Sequence, residues 1–318
     1  MNKHFFNYDL STLLGLTDSR ILTFVGGGGK TSLMNTLGKE FANQRISTLL
    51  TTTTHIMKPD FLSEKACIET ENFEQLAEVF ANFQKQPDEF PLAALGIPEK
   101  LINGNVKWRS PSIDFCKKTA EFSTKYSIKT AHESLKILCE GDGSKRFPIK
   151  LPKEGEPVFF PKTDTVIGVI GLSCLGKPIK ETLFRYELLQ ECISAKRKSE
   201  TIDIPHTLYE SHRINKTPEM SFSQNQFIES LQPANTVTID FLYWLCLSPK
   251  GLCKNISLQK FCVVFNQADV LDEKTLAKVV GLRNKLQAEG ICSYIVSLKN
   301  KYIIDGDLPQ ARERHSTK

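Results

Sequence analysis

Apolar and polar positions along the chain follow two periods, which predict strands and helices in turn. Short apolar runs typical of buried strands cover residues 21–25, 45–55, 90–97, 134–140, 165–176, 260–266 and 291–298. Helical spacing of apolar residues appears between several of them, as in Asn72–Gln84 and Asp272–Gly290. Strands that alternate with helices form a parallel sheet. The pattern therefore predicts an α/β fold with a mostly parallel sheet flanked by helices on both faces.

The pattern weakens in the middle of the chain, between Lys177 and Lys260. Two or three helices are predicted there, the clearest at Thr236–Ser248. No internal repeat, low-complexity segment or sharp linker divides the chain. We therefore expect one domain over residues 1–318, with residues 177–260 as a helical insertion within it.

The composition of the chain indicates a soluble protein with reduced thiols. The 318 residues are 40% hydrophobic and 24% charged with a net charge of +5, which is ordinary for a globular protein. No apolar run of ~18 residues and no signal peptide is found, so we expect a cytoplasmic protein without a membrane partner. The basic stretches Ser194–Glu200 and Gln310–Lys318 are expected to be solvated, without nucleic acid. Nine scattered cysteines indicate buried, reduced thiols.

Four consecutive glycines between the first strand and the following helix carry the strongest chemical prediction. The order strand, glycine loop, Lys30, Thr31 and helix is typical of a P-loop, although Phe24 stands where that motif begins with glycine. Backbone N–H groups would hold phosphates, Lys30 would neutralise charge during transfer, and Thr31 would ligate Mg²⁺. The predicted nucleotide-binding residues of this P-loop NTPase-like protein are Gly26, Gly27, Gly28, Gly29, Lys30, Thr31 and Ser32.

Carboxylates after the strand at 134–140 are candidates for organising the metal. A P-loop enzyme needs a carboxylate that holds Mg²⁺ directly or through water. Glu140 and Asp142 both follow this strand, and the residues alone do not decide between them. We predict a catalytic role for this pair, with Thr31 and Asp142 as the metal ligands.

Two further strand ends carry candidate residues. Thr51–His55 offers hydroxyls that could ligate phosphate or Mg²⁺, although four β-branched residues also favour a strand by propensity alone. The sequence Asn266-Gln-Ala-Asp269 nearly matches the N-K-x-D motif of GTP-binding proteins, with Gln267 in place of lysine. Asn266 and Asp269 are thus predicted to read the base, which favours GTP slightly over ATP as the cofactor. A plain turn is the alternative.

Taken together, these segments resemble the YqeC family, which is described as accessory to selenium-dependent molybdenum hydroxylases. The resemblance rests on "FVGGGGKTSL", "TTTTHIM", "EGDGSKRFPIKLP", "TVIGVIGLSCLGKPI", "FRYE" and "FNQAD", in the family's order and over roughly Ile21 to Asp269. Phe184 stands where the family tends to have histidine, and Gln267 where it has lysine. These departures weaken a catalytic role for the Arg185 motif and weaken guanine selectivity.

The resemblance implies an NTP-dependent step in maturing a molybdenum hydroxylase or its pterin cofactor. Either is then a candidate partner besides the nucleotide. A kinase or nucleotidyltransferase acting on a small cofactor, and a non-hydrolysing chaperone gated by nucleotide, are the alternatives. The candidate contacts to a second, phosphorylated ligand are Thr54, His55, Lys145, Arg146 and Arg185.

Overall fold

A ten-stranded sheet organises the protein in the computed structural model. The structure describes residues 2–7, 9–85, 90–129, 135–197 and 235–304. In these residues the strands β1 to β15 span Lys3–Phe5, Ile21–Gly26, Thr48–Thr52, His55–Met57, Cys67–Ile68, Leu92–Leu95, Ile97–Ile102, Asn105–Arg109, Lys136–Glu140, Ile149–Lys150, Thr165–Gly171, Leu183–Phe184, Lys260–Asn266, Cys292–Ser297 and Tyr302–Ile304. The helices α1 to α8 span Leu10–Leu13, Lys30–Asn43, Phe73–Lys85, Ile113–Lys129, Ile179–Thr182, Tyr186–Arg197, Ile239–Leu247 and Glu273–Ala288.

The large sheet is mostly parallel, as predicted. Its strand order is β1-β15-β14-β13-β11-β2-β9-β3-β6-β5. All pairs from β14 to β5 are parallel, and only β15 pairs antiparallel, with β14 on one side and β1 on the other. The strand β2, which leads into the glycine loop, lies directly beside β9, the strand that carries the candidate carboxylates. The fold is therefore α/β and P-loop NTPase-like.

Helices cover both faces of this sheet, and alternate residues of β2 show how. Leu22 and Phe24 belong to a buried cluster with Leu33 and Leu37 of α2. Ile21 and Val25 point to the opposite face, where α3, α4, α7 and α8 contribute their apolar residues to two further clusters. Successive side chains of a strand point to opposite faces, so a strand between two helical layers must be apolar throughout.

Parallel pairing brings the carboxyl ends of five strands to one edge. Glu140 at the end of β9 is in register with Phe24 on one side and Thr52 on the other. Gly26 pairs with Val169, and Gly171 at the end of β11 pairs with Asn266. Ligands of open α/β sheets bind beyond such carboxyl ends. The residues singled out in the sequence thus converge at this edge.

A small antiparallel sheet stands beyond β3 and was missed in the sequence prediction. It has the order β4-β8-β7, with Trp108 on β8 buried beneath it. The β7–β8 connection is Asn103-Gly104, and both residues have positive φ, at 49° and 79°. Asn-Gly between alternating strands is a strong signal for a tight hairpin. The indole N–H of Trp108 donates to Glu69 at 2.9 Å.

The segment predicted to be a helical insertion, residues 177–260, lies between β11 and β13 and is partly helical where the structure describes it. It contains α5, α6 and the buried α7, with the short β12 between α5 and α6. Residues 198–234 of the insertion, part of the basic stretch Ser194–Glu200, and the tail from Gln310 lie outside the described residues. Eight of the nine cysteines are buried, and Cys292 is exposed. Among the described helices, none has both the length and the apolar character needed to cross a bilayer.

Candidate functional site

The glycine loop is tight because backbone from two neighbouring segments lies against it. A Cβ on Gly28, whose φ is 72°, would stand 2.1 Å from the N atom of Gly171. One on Gly27 would stand 2.6 Å from the carbonyl oxygen of Phe147. No side chain fits at such distances, and positive φ disfavours one as well. The glycines are therefore required by close backbone contacts within the protein.

The backbone N–H groups of the loop divide into two sets. Gly26 donates to Asp142, Gly27 to the Val169 carbonyl and Gly28 to the Phe147 carbonyl. These three groups, expected to bind phosphate, are engaged with protein acceptors in this conformation. The first-turn N–H groups of α2, at Lys30, Thr31 and Ser32, have no acceptor within the helix. The end of the loop that could bind an anion is thus the N-terminus of α2.

Lys30 is buried at this end and its ammonium is bound within the protein. Its Nζ donates to the Gly26 carbonyl at 2.5 Å and lies 3.1 Å from Asp142 Oδ1 and 3.8 Å from Glu140 Oε1. The side chain is 2% exposed. A phosphate at the N-terminus of α2 would compete with Asp142 for this ammonium.

Thr31 and Glu140 form the pair of oxygen donors that could hold Mg²⁺. The Thr31 hydroxyl donates to Glu140 Oε2 at 2.6 Å, and both residues line the cleft beside the loop. Burial raises the pKa of Glu140 above its usual value, although the Lys30 ammonium and the Thr31 hydroxyl oppose that change. Mg²⁺ prefers hard oxygen ligands of this kind and completes its shell with phosphate and water.

Asp142 has a different environment, although the sequence prediction named it as the metal ligand. Its carboxylate accepts from the Gly26 N–H at 3.1 and 3.2 Å and lies between Lys30 and Lys150, which is 3.2 Å away. It is 2% exposed and does not line the cleft beside Thr31 and Glu140. The structure therefore brings Thr31 together with Glu140, and it places Asp142 behind the loop.

A chain of buried charges continues from Asp142 and was missed in the sequence analysis. Lys150 Nζ donates to Glu156 Oε2 at 2.6 Å and to the Gly143 carbonyl at 2.8 Å. Glu156 in turn accepts two hydrogen bonds from Arg185, at 2.5 and 2.7 Å. Lys150 was not recognisable because it lies on a strand of only two residues, which is too short for an apolar period to appear. Lys30, Asp142, Lys150, Glu156 and Arg185 thus form one alternating series, here called the ion chain.

Glu156 is the member of the ion chain with the most perturbed acidity. Burial by itself would raise the pKa of its carboxyl group. Hydrogen bonds from Arg185 and Lys150 outweigh that effect and lower the pKa from 4.5 to about 2. The carboxylate is therefore ionised at neutral pH, as its two cationic partners require.

The candidates for a second ligand line the same cleft as the loop, which has a volume of about 1200 Å³. They are Thr54, His55, Lys145, Arg146 and Arg185. His55 lies 3.2 Å from Glu99 on β7. The hydroxyls of Thr51, Thr52 and Thr53 donate to the backbone carbonyls of Leu95, Glu140 and Val158, so these three hydroxyls are engaged within the protein. Of the four threonines, Thr53 and Thr54 line the cleft.

The structure separates the two residues predicted to read a base. The Asn266 amide donates to the Gly28 carbonyl at 2.9 Å, and its oxygen accepts from the Leu298 N–H. Asp269 accepts from the Ser297 hydroxyl at 2.6 Å and lines a separate cavity of about 240 Å³ with Lys3 and Tyr302. Gln267, with φ of 70°, is the member of this turn that lines the large cleft. Asn266 thus contacts the glycine loop, while Asp269 lines a cavity separate from the large cleft.

Comparison with known proteins gave one family match and one curated relative. A family model described as "YqeC protein" matches residues 22–187, just over half of the chain. The protein described as "Uncharacterized protein YqeC" from Escherichia coli (strain K12) is 29% identical over 167 residues. That match covers 50% of this chain and 54% of the relative, so the chain spans about half the length of the curated relative it matches. No solved structure matches the chain.

The matched region holds the loop and the ion chain from Lys30 to Arg185, whereas Asn266 and Asp269 lie beyond it. The motifs from the glycine loop to "FRYE" are therefore the part of the site that the family model covers. On that match, the chain belongs to the YqeC family.

Proposed function

We propose that this protein binds a nucleoside triphosphate with Mg²⁺ and hydrolyses it while assisting the maturation of a molybdenum hydroxylase. The observation that carries the nucleotide part is the Thr31–Glu140 pair at the N-terminus of α2, beside Lys30. The choice of client, a selenium-dependent hydroxylase or its cofactor, rests on the family resemblance alone.

The donors at this edge fit a magnesium-bound triphosphate. Unpaired N–H groups at the start of α2 favour phosphate oxygens, and the helix dipole adds to them. The Thr31 hydroxyl and the Glu140 carboxylate would hold Mg²⁺, which supplies the charge that neutralises the phosphates. Lys30 would move from Asp142 to the phosphates, where it offsets charge developing during transfer. Binding and a rearrangement of the loop are thus coupled in this proposal.

Calorimetric titration with Mg²⁺ and either GTP or ATP tests the proposal. We expect the parent to bind and Lys30→Ala to lose at least about tenfold in affinity, since one charge-assisted contact contributes ~1.5–3 kcal/mol. Lys118→Ala, on the exposed side of α4, removes the same charge elsewhere and serves as the control. Equal affinity of parent and Lys30→Ala for every nucleotide would refute the phosphate role of the loop.

Product analysis then separates the proposed activity from its alternatives. Free phosphate released without an acceptor supports hydrolysis. Turnover that needs an added cofactor supports a kinase or nucleotidyltransferase, and tight binding without turnover supports a nucleotide-gated chaperone. The client is tested by hydroxylase activity in cells that carry Lys30→Ala in place of the parent. Unchanged hydroxylase activity there would remove the maturation role while leaving nucleotide binding intact.

A further inference from the structure

The wall of the cleft that faces the loop is strongly cationic. Seven lysine and arginine side chains line the cleft, against three glutamates. Lys30 and Arg185 belong to the ion chain, and Lys107 lies 3.7 Å from Glu99. The four others, Arg109, Lys145, Arg146 and Lys153, are exposed and form no ion pair with any carboxylate among the described residues. Here we call these four the cationic wall.

Backbone strain is concentrated around the same cleft. Lys145 and Arg146 are consecutive and have φ of 47° and 68°, and Arg185 has φ of 66°. Together with Gln267 they account for four of the nine non-glycine residues with positive φ in the described part of the chain. Such conformations cost free energy and are found mainly where function requires them. The backbone here is thus held so that cations face the cleft.

The cationic wall is tied to the phosphate loop by rigid contacts. The Phe147 carbonyl accepts from the Gly28 N–H at 3.0 Å, directly after Arg146. Phe184 supports the cations from below, since Lys145 Nζ and the Arg185 guanidinium lie 5.4 and 4.8 Å from its ring centroid. Across the cleft, Arg109 is paired in register with His55 on the small sheet. Two separate elements thus present unpaired charge to one space.

The volume of the cleft exceeds what one ligand requires. Sites for single small molecules enclose roughly 300–1,000 Å³, and this cleft encloses about 1200 Å³. A nucleotide anchored at α2 with its Mg²⁺ uses Lys30 and Glu140. It leaves the cationic wall uncompensated, and a concave surface of one sign concentrates ions of the opposite sign.

We propose that the cationic wall binds a second small molecule that carries a phosphate monoester or diphosphate, beside the nucleotide. This inference rests on the proposed function only in assigning the α2 end of the cleft to the nucleotide. Arg109 and Arg146 hold the second phosphate from opposite sides, because guanidinium groups bind phosphate oxygens in pairs. The site thereby places two phosphorylated ligands in one cleft.

Titration with inorganic pyrophosphate tests the second site. The parent is first saturated with Mg²⁺ and a non-hydrolysable NTP, and we expect pyrophosphate still to bind. Arg109→Ala/Arg146→Ala should weaken that binding by about tenfold or more, while nucleotide affinity changes less than about twofold. The control Lys118→Ala/Lys125→Ala removes the same charge from exposed positions of α4 and should change neither affinity.

Two results overturn the second site. The first is failure of pyrophosphate to bind the nucleotide-saturated parent. The second is an equal loss of nucleotide and pyrophosphate affinity in Arg109→Ala/Arg146→Ala, which would assign these arginines to the nucleotide itself. If no nucleotide binds the parent, the proposed function fails. The pyrophosphate titration is then carried out on Lys30→Ala, which lacks the lysine of the glycine loop. Pyrophosphate binding there that depends on Arg109 and Arg146 supports the second site independently.

Discussion

At the scale of single residues, two carboxylates only two residues apart have opposite surroundings. Glu140 faces the cleft and accepts from the Thr31 hydroxyl. Asp142 faces the protein interior, accepts from the Gly26 N–H and is flanked by two lysines. Breaking a buried ion pair by removing one partner costs more than the pair contributes, because the other charge stays buried. Substitution of the two carboxylates should therefore have different consequences.

Asp142→Asn should destabilise the protein, and Glu140→Gln should weaken magnesium-dependent binding. We expect Asp142→Asn to lower the free energy of unfolding by about 3 kcal/mol, since Lys30 and Lys150 lose their shared partner. Its effect on nucleotide affinity should be equal with and without Mg²⁺. Glu140→Gln should reduce affinity more with Mg²⁺ than without it, because an amide is a poorer ligand for a hard cation.

Urea unfolding and calorimetry with and without Mg²⁺ measure these two effects. Each variant serves as the control for the other, since both exchange a carboxylate for its amide. A selective loss of Mg²⁺-dependent affinity in Asp142→Asn, with Glu140→Gln unaffected, would return the metal role to Asp142.

Glu156 should make the stability of the protein depend on acidity. Its pKa falls from 4.5 to about 2 on folding, so its contribution is complete above pH 4.5 and is lost as the pH falls toward 2. The size of this contribution is on the order of 3 kcal/mol. Glu156→Gln should therefore lower the free energy of unfolding at pH 7, and the difference from the parent should shrink below about pH 4.5.

Urea unfolding between pH 3 and pH 7 measures this difference. Glu154→Gln alters an exposed carboxylate two residues away and controls for the change in net charge. A parent-to-variant difference that stays constant over this range would mean that Glu156 is not held ionised by Arg185 and Lys150.

At the scale of elements, the connection from β2 to α2 is defined by how closely other backbone approaches it. Gly171 and Phe147 lie against Gly28 and Gly27. Gly281, on the exposed side of α8, has nothing within 4 Å of the position that a Cβ would take. Substitution by alanine at these two kinds of glycine should thus change the stability of the protein in opposite directions.

Gly28→Ala should destabilise the loop, whereas Gly281→Ala should stabilise α8. A Cβ on Gly28 would overlap Gly171, and the positive φ adds strain, so we expect a lower melting temperature and loss of nucleotide binding. Alanine is favoured over glycine inside a helix by ~0.5–1 kcal/mol, so Gly281→Ala should raise the melting temperature slightly. Thermal unfolding of both variants is the measurement. An unchanged melting temperature and unchanged nucleotide affinity in Gly28→Ala would show that the loop can accommodate a Cβ at this position.

The elements that the sequence predicted are those with a strong local pattern. Continuous apolar runs identified β2, β9, β11 and β13, because strands covered on both faces must be apolar throughout. The edge strand β1 and its neighbour β15 have three residues each, which is too short for a period to appear. The β7–β8 hairpin was recognisable from Asn103-Gly104 but was not predicted.

The residues of the candidate site were predictable only where they lie close in sequence to the end of a strand. The glycine loop, Lys30, Thr31 and Glu140 stand next to strand ends, and the parallel order of strands brings them together. The ion chain depends on pairs such as Asp142–Lys150 and Glu156–Arg185, and the second of these is 29 residues apart. No local pattern encodes which buried lysine meets which carboxylate. The choice between Glu140 and Asp142 as the proposed Mg²⁺ ligand likewise depends on side-chain directions.

At the scale of the whole molecule, the edge of the sheet runs from the loop to a second cavity on its far side. Asn266 contacts the loop, and Asp269 lies three residues later against Ser297 of β14. A nucleotide that uses both ends would extend across the ends of β2, β11 and β13. Base selectivity therefore tests whether a nucleotide spans this distance.

The parent should prefer GTP over ATP, and Asp269→Asn should remove that preference. A carboxylate that accepts from guanine N1 and N2 meets no donors on the matching edge of adenine. Sites built to bind a particular hydrogen-bonding group can reject a ligand that lacks it by ~10⁴-fold. Gln267 lacks the long stem of lysine, so we expect a smaller ratio here. Competitive binding of GTP against ATP measures it, with Asp272→Asn at the cap of α8 as the control. Equal binding of ATP and GTP by the parent would leave Asn266–Asp269 as a structural turn.

The buried indole of the small sheet gives the cleft an optical reporter. Trp108 lies between Lys107 and Arg109, both of which line the cleft, and its N–H is bound to Glu69. The chain has one other tryptophan, Trp244, which is buried on α7. Trp244→Phe would leave a single indole emitter, on the strand whose residues Lys107 and Arg109 line the cleft. Its emission maximum and its quenching by acrylamide would then follow ligand entry in real time, without a label.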